Sequence, residues 1–420
     1  MKLYVVGGAV RDLLLGRDES DRDYLVLEAT PEQFLRRFPQ AKRVGKSFPV
    51  YLADGSEYAW PRGATLEEDL AARDLTVNAL ALPVEPAGQP ADHLAEQPAD
   101  QPTRQRADHA SVQPADQSSG RPGGLGDISR IVAHPQSFAD LAAKVLRPAS
   151  ATAMADDPLR VFRAARFAAE LPDFSPHPEL VNQMRRCAVG GLLGDLIPER
   201  VGLETLAAMA APAPGRFLEI LDQADCLAPW FAPLDTAGSI PAGPASYHDR
   251  DLLGHTVLVM NQLAGDPLRA WMGLAHDLGK AATDKELLPK HHGHELRGSF
   301  IAKELGLRLR LPAQFVKAGQ LAARLHMNAG RYLLLRPGSR VDLLQWLHGA
   351  GLFEELFALV AADRHAVSGE DYGETVLAAA RADLEIILAV HLSPEEQNQG
   401  AASGRRLREL RCLALAKKRE

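Results

Sequence analysis

Leu3-Tyr4-Val5-Val6-Gly7-Gly8-Ala9-Val10-Arg11-Asp12, followed shortly by Asp21-Arg22-Asp23-Tyr24-Leu25-Val26-Leu27, is the stretch on which the reading of this chain turns. Leu3 to Val6 reads as a strand, Gly7-Gly8 breaks it, Ala9 to Leu15 continues as a helix, and Tyr24 to Leu27 is a second strand. Glycines between strand and helix let the backbone approach a phosphate closely, and a helix N-terminus attracts anions. The plain alternative is a turn used only for packing. Arg11 adds a fork of donors suited to a triphosphate. Asp21 and Asp23 lie two residues apart at the entry to the second strand, a spacing that turns both carboxylates to one face. So placed, they can share divalent metals. Mg²⁺ suits oxygen ligands and leaves positions open for phosphates. Two such ions can assist attack by a hydroxyl and departure of pyrophosphate. An acidic turn is the commoner fate of one Asp-x-Asp; the order strand, Gly-Gly, helix, acidic strand favours chemistry.

Outward from this stretch, Pro31 to Phe38 reads as a short helix with proline at its start and Val50 to Leu52 as a third strand, so the first 82 residues are mixed α/β. In Asp69-Leu70-Ala71-Ala72-Arg73-Asp74-Leu75-Thr76-Val77-Asn78-Ala79-Leu80 the polar Arg73, Asp74 and Asn78 interrupt an apolar segment. Arg73 can bind phosphate, and Asp74 and Asn78 can hold a ribose or the backbone. Composition shifts near residue 84: Gln-Pro-Ala-Asp occurs at 89–92, 97–100 and 113–116. Residues 84–124 lack the apolar content to pack and read as a disordered insertion. From Ser137 to about Ala211 the pattern is helical, 233–247 reads as a linker, and helices follow from about 250.

The stretch Asp156-Asp157-Pro158-Leu159-Arg160-Val161-Phe162-Arg163-Ala164-Ala165-Arg166-Phe167 carries two readings. Asp157 and Arg160, three apart on a helix, can form an ordinary surface ion pair worth a few tenths of a kcal/mol, about the usual i,i+3 value. They can also serve as a protein template for a base. Asp accepts from an exocyclic amino group while Arg donates to the neighbouring ring acceptor. Cytosine and adenine satisfy both; uracil and guanine leave charged groups unpaired. Arg163 and Arg166 continue the row and can bind a triphosphate.

With 420 residues the chain is expected to hold two to four domains. Hydrophobic residues make up 46% and charged residues 24%, which is globular composition. The net charge of −7 means that any RNA contact must come from a local basic surface. Three unpaired-looking cysteines, Cys187, Cys226 and Cys412, argue against a disulfide framework and fit a reducing cytoplasm. No apolar run approaches membrane-spanning length and no signal region opens the chain, so a cytoplasmic protein without membrane contact is expected.

Together Gly7-Gly8-Ala9-Val10-Arg11-Asp12, Asp21-Arg22-Asp23, the Arg73-to-Leu80 segment and Asp157-to-Phe167 resemble, in order, the motifs of the class II bacterial tRNA nucleotidyltransferases. Pro198-Glu199-Arg200-Val201 with Glu204 looks like that family's next helical motif. The resemblance implies that Asp21 and Asp23 are catalytic and hold Mg²⁺. It implies that Gly8, Arg11, Arg73, Arg163 and Arg166 contact the nucleotide and that Asp157 with Arg160 selects the base. There are departures. Ala72 stands where the family has a first arginine, and Asp156 replaces a glutamate. The family's Asp-Pro-x-Gly-Gly loop falls on Ala133 to Ser137. The connector between Glu57 and Asp69, with Trp60-Pro61-Arg62-Gly63-Ala64-Thr65 at its middle, is markedly short. In the family a flexible loop there helps reshape the pocket from CTP to ATP, so a short, proline-stiffened connector implies slow addition of the terminal A.

Seven of the 14 histidines lie between His248 and His326. His255, the pair His276-Asp277 and the distant Asp363 can coordinate a divalent metal through mixed N and O ligands if their helices pack together. Such a metal polarises phosphate and lowers the pKa of water. Ala275-His276-Asp277-Leu278-Gly279-Lys280 resembles the HD phosphohydrolase motif. The resemblance makes His255, His276, Asp277 and Asp363 the ligands of a divalent transition metal, Ni²⁺ being one candidate. It makes Lys280, His291, His292 and His294 phosphate binders or supports behind the ligands.

The expected fold is α+β, with a small mixed-sheet nucleotidyltransferase head (1–142), an all-α neck and body (143–247), a helical HD domain (248–366) and a helical tail (367–420). The expected function is template-independent addition and repair of the tRNA 3′-terminal CCA from CTP and ATP, with phosphatase or 2′,3′-cyclic phosphodiesterase activity in the HD part. Its partners are tRNA, CTP and ATP, and it is a monomer or a homo-oligomer. Three other readings stay open: a CC-adding enzyme, a poly(A) polymerase of the same superfamily, and a catalytically impaired RNA-binding protein.

Overall fold

The structure, a computed structural model, describes residues 1–17, 22–44, 50–84, 127–246, 249–368 and 373–417. Asp21 and nearly all of the 84–124 segment lie outside the described residues. The chain divides into two compact units, Met1–Ala151 and Thr152–Glu420.

The first unit is built on a seven-stranded sheet. In chain order its elements are β1 (Lys2–Val6), α1 (Gly8–Leu14), β2 (Asp23–Leu27), α2 (Pro31–Arg37), β3 (Lys42–Val44), β4 (Val50–Ala53), β5 (Ser56–Ala59), α3 (Leu66–Ala71), β6 (Leu80–Pro83), β7 (Val132–Ala133) and α4 (Ser137–Ala143). The strand order is β3-β4-β5-β2-β1-β6-β7. Only β2 and β5 run parallel; the other neighbours are antiparallel. The two-residue period of a strand explains the layers. Tyr24 turns to one face and stacks on its register partner Tyr58 at 4.9 Å, within a cluster that includes Phe34, Phe38, Tyr51 and Trp60. Leu25 turns to the other face and packs with Val6, Leu66, Leu70, Ala79 and Ala81. Helix α2 begins with Pro31 behind a reciprocal capping box between Thr30 and Gln33.

This unit runs past position 142 to Ala151. The Thr76 amide donates to the Arg147 carbonyl and the Ala149 amide to the Asp74 carbonyl, tying the segment after α4 to the sheet's loops.

The second unit is helical. Its first part holds α5 (Ala153–Asp156), α6 (Arg160–Glu170), α7 (Pro178–Val189), α8 (Pro198–Met209) and α9 (Gly215–Gln223). Then follow α10 (Leu252–Gln262), α11 (Pro267–Ala275), α12 (His294–Arg308), α13 (Ala313–Gly330), α14 (Pro337–Ala350), α15 (Phe353–Ser368), α16 (Gly373–Leu388) and α17 (Ala401–Lys417). One hydrophobic core joins Val259, Met272, Leu325, Leu344 and Val360 to Val376, Ala380, Ile387 and Leu415, so the last two helices belong to the body that carries the histidines. Tyr332 and Arg340 both donate to Asp383 of α16, at 2.8 Å each, inside this body. Among the described residues no helix is long and apolar enough to cross a membrane.

Candidate active sites

Gly7 ends β1 in the left-handed region, at φ +75. A Cβ there would meet the Arg73 guanidinium at 3.2 Å, so glycine permits both the turn and this close approach. Arg73 is held by Asp69, whose Oδ2 accepts from its Nε (3.2 Å) and Nη2 (3.1 Å). Arg11 is buried rather than held out as a donor: Nε and Nη2 donate to Asp12 and Nη1 to Asn78 Oδ1 at 2.7 Å. The expected triphosphate fork is thus turned inward, where it holds the glycine turn to the Asn78 loop. Asp74 Oδ1 accepts from the Leu75 amide, so it shapes the same loop. Asp23 is the first residue of β2, exposed, and opposite Val6 in the register with β1. One end of β1 and β2 therefore gathers a carboxylate, the glycine turn and, against that turn, the Arg73 guanidinium.

Where the family loop falls on Ala133 to Ser137, the residues are structural. The Ser137 hydroxyl contacts the Thr76 carbonyl at 2.7 Å and the Ala79 carbonyl at 3.2 Å. Buried Asp140 accepts from the Thr76 hydroxyl at 2.7 Å and from Arg147 Nε. This network pins the loop that carries Asn78.

In the second unit the expected shared helix of Asp157 and Arg160 is interrupted. Helix α5 ends at Asp156 and α6 starts at Arg160. Pro158 disfavours helical backbone at the residue before it, and Asp157 adopts φ −145, ψ 98. Asp157 reaches Arg200 of α8 at 3.4 Å, while buried Arg160 donates to the Ala153 carbonyl at 3.0 Å. Arg163 and Arg166 both meet Glu204 of α8, at 3.7 and 2.7 Å, and Arg166 also pairs with Glu170. The Pro198-to-Glu204 segment is therefore the partner of this arginine row.

The histidine-rich segments converge. His255 from α10, His276 at the end of α11, Asp277 after it, His294 at the start of α12 and His326 of α13 are all buried, and Asp363 of α15 faces them. His255 Nε2 lies 3.1 Å from Asp363 Oδ1 and 3.6 Å from Asp277 Oδ2. His276 Nε2 lies 3.1 Å from Asp277 Oδ2. His294 and His326 approach the other oxygen, Asp277 Oδ1, at 3.4 and 3.5 Å. His276 Nε2 and Asp277 Oδ1 are buried with no hydrogen-bond partner among the described residues. Orphaned buried polar atoms of this kind, in a mixed N and O donor set, fit a divalent cation.

Burial would push the Asp277 carboxyl up, yet Lys280, His276 and His294 hold it well below the usual carboxylate range. Burial would lower His276, but the carboxylates of Asp277 and Asp363 outweigh it and raise the imidazole. Lys280 Nζ contacts Asp277 Oδ2 at 2.7 Å and donates to the Ala242 carbonyl at 2.7 Å. His291 is engaged at both ring nitrogens, with the Thr283 hydroxyl and the Pro241 carbonyl, and so braces the loop. His292 is exposed at the rim. The group opens on a cavity of about 500 Å³ whose walls include Lys290, His292, Arg331, Arg364, Met327 and Val367.

Comparison with known proteins fits this arrangement. The poly A polymerase head domain matches residues 3–54. The multifunctional CCA protein of Methylococcus capsulatus is 33% identical, over 100% of this chain and 95% of its own length. The chain belongs to the multifunctional CCA protein family. Among solved structures, a CCA-adding enzyme determined with ATP matches at a TM-score of 0.59 and 18% identity, covering 98% of this chain and 86% of that one. The Thermotoga maritima CCA-adding enzyme complexed with tRNA matches at 0.56 and 18%, covering 99% and 91%. These two likenesses concern the fold.

In this multifunctional CCA protein the sequence points to the histidine segments that converge, but not to their geometry. His326 was counted without a role, yet it faces Asp277; His294 stands beside it rather than behind it. No sequence spacing announces this, because 32 residues separate the two, and only the packing of α12 on α13 brings their Nε2 atoms to 3.3 Å. Asp12, Asp69 and Asp140, which hold Arg11, Arg73 and the Thr76 loop, were missed as well. Their sole signal was an acidic residue inside an otherwise apolar run.

Proposed function

We propose that this chain adds C and A residues to the 3′ end of tRNA without a nucleic-acid template, and that its histidine cluster hydrolyses phosphate esters. The observation that carries the first part is 33% identity to a multifunctional CCA protein along the whole chain, with the motifs in family order. The 3′-hydroxyl of tRNA attacks the α-phosphate of CTP or ATP, and pyrophosphate leaves. Asp23, with Asp21, offers carboxylate oxygens suited to Mg²⁺, which when bound stabilises charge on the reacting phosphates. Arg73, fixed by Asp69 against Gly7, offers positive charge where the triphosphate would lie. Base choice is assigned to Asp157 with Arg160. In this conformation the donor Arg160 is buried, so the acceptor Asp157, held by Arg200, is the more accessible of the two. The three thiols and the tRNA substrate fit a reducing cytoplasm.

The second activity is supported by His255, His276, Asp277 and Asp363, whose donor set suits a transition metal that supplies Lewis-acid polarisation of phosphate. Lys290, Arg331 and Arg364 put positive charge around the cavity, as an anionic ester requires. One assay tests the nucleotide-addition reading. Purified chain is given tRNA lacking its 3′ end and each labelled nucleotide separately. Incorporation of C, then A, is expected. Incorporation of ATP alone points to a poly(A) polymerase, and incorporation of neither to a binding protein.

A further inference from the structure

We propose that the edge of the head sheet, Lys42 and Arg43 of β3 with Arg36 and Arg37 of α2, grips the phosphodiester backbone of the RNA whose 3′ end is extended. The inference rests on the nucleotide-addition reading and gives its RNA substrate a contact surface.

Charge comes first. The whole chain stands at −7, yet residues 33–53 contain Arg36, Arg37, Lys42 and Arg43 and no Asp or Glu. Elsewhere in this unit Arg11, Arg73 and Arg147 are each held by a carboxylate. Here Arg36 feels Glu32 one turn back, and among the described residues Arg37, Lys42 and Arg43 meet no carboxylate. All four side chains are exposed. The Ala41 amide donates to the Phe38 carbonyl at 3.0 Å, and this turn brings β3 back beside the end of α2, which gathers the cations. A local concentration of positive charge on an acidic chain attracts a polyanion.

Two ordinary explanations cover part of this. A lysine on an edge strand discourages pairing with other strands, and arginines in the last turn of a helix suit its dipole. Neither accounts for the apolar side chains between the cations. Val44 and Leu52 are 38% and 40% exposed. An edge built only to stay unpaired gains nothing from them. Cations for phosphates, with apolar side chains on which base rings can rest, are what a single strand of RNA requires.

Register supplies position. Lys42 pairs with Leu52, Leu52 with Glu57, and Glu57 with Asp23. Register partners turn to one face, so Lys42 shares the face and the end of the sheet with Asp23. Three strand spacings put it about 14 Å away, a span that a few nucleotides cover. Arg43 turns to the other face with its partner Tyr51, toward α2. A backbone leading to a 3′ end at Asp23 is thus gripped at the sheet edge from both faces. These are positioning residues and take no part in the chemistry.

The test separates binding from addition. Labelled tRNA lacking its CCA is titrated with the full chain between about 50 and about 200 mM salt, where phosphate contacts govern affinity. Lys42→Gln/Arg43→Gln is expected to weaken binding about tenfold. It should also flatten the slope of log affinity against log salt by about 1.5, since each lost phosphate contact contributes about 0.7–0.9. CTP addition should lose in KM for tRNA rather than in kcat. Lys42→Arg/Arg43→Lys keeps the charge and should restore affinity and slope. Lys303→Gln/Lys317→Gln makes the same charge change on exposed lysines of α12 and α13 and controls for the field of the whole chain. Parental affinity and slope in Lys42→Gln/Arg43→Gln overturn the proposal and leave the cations to edge protection or to a protein partner. An equal loss in the control, or no restoration by the charge-keeping variant, overturns it as well. A parent that adds no C overturns the activity reading itself. A parent that adds C beside a double variant that binds tRNA equally well overturns this surface alone.

Discussion

At the residue scale, the exposed carboxylate at the head of β2 is the sharpest target. Asp23 packs against no core, so Asp23→Ala should leave the melting temperature near that of the parent. A metal ion contributes several kcal/mol of charge stabilisation, and each ~1.4 kcal/mol is tenfold in rate, so CTP incorporation should fall about a thousandfold. Labelled CTP on tRNA lacking CCA measures it, and parent-like rates would remove Asp23 from the site. The thiols allow a second expectation. Burial pushes Cys226 up to about 12 and raises Cys187, so both stay protonated at pH 8 and react poorly. Cys412 is only partly buried. Native protein treated with N-ethylmaleimide should gain one label, and unfolded protein three, by intact mass; fast labelling of Cys226 in the folded chain contradicts its burial. Legibility ends at this scale. Arg11, Arg163 and Arg166 were recognisable as members of motifs. That their guanidiniums are engaged by Asp12, Asn78, Glu170 and Glu204 was not, because partners up to 67 residues away are chosen by the fold.

At the element scale, two short connections decide behaviour. Between β5 and α3, the Trp60 indole donates to the Ala29 carbonyl at 2.7 Å and packs on Phe34 and Tyr51. The Arg62 amide donates to Asp69 and the Ala64 amide to Glu68. The connector is therefore anchored at both ends, which supports the expectation that reshaping the pocket for ATP is slow. Single-turnover addition of A to tRNA ending in CC should lag addition of C to tRNA lacking CCA, and a Gly-Ser insertion after Gly63 should narrow the gap. Equal rates in the parent would reject the idea. The other connection is Gly279, where a Cβ would lie 2.0 Å from the His294 carbonyl and 2.5 Å from the Gly298 amide. Gly279→Ala should push α12 away from Asp277, cost about 2–3 kcal/mol by overpacking, and lower the amount of divalent metal the purified chain retains; urea unfolding and metal analysis check both. β1, α1, β2, α2 and β4 were legible because their period and caps are local. The Asp157–Arg160 helix misled because the apolar spacing continues through Pro158, and the backbone obeys the proline.

At the scale of the whole molecule, the cluster proposed for hydrolysis shares no residue with the set proposed for nucleotide addition, so His276→Ala/Asp277→Ala should abolish phosphate-ester hydrolysis and spare CCA addition. Loss of both activities in a soluble, folded variant would mean that the pair is structural. Residue patterning and the family resemblance pointed to an α+β chain with a helical second half. It did not foretell that α16 and α17 complete the core around the histidine helices, because their apolar residues read equally well as a free tail until Val376, Ile387 and Leu415 are seen inside. That closure has a consequence for biosynthesis. Chains emerge N-terminus first and their domains fold in that order. The sheet-bearing unit is finished once residue 151 is out, little more than a third of the way along. The histidine-bearing helices, by contrast, lack part of their apolar support, and Arg340 lacks Asp383, until Leu415 has followed. A ribosome halted between α15 and α17 would thus hold a nascent chain with a completed head but an unsealed histidine body. Such a fragment is a natural substrate for proteases and chaperones rather than a half-working enzyme.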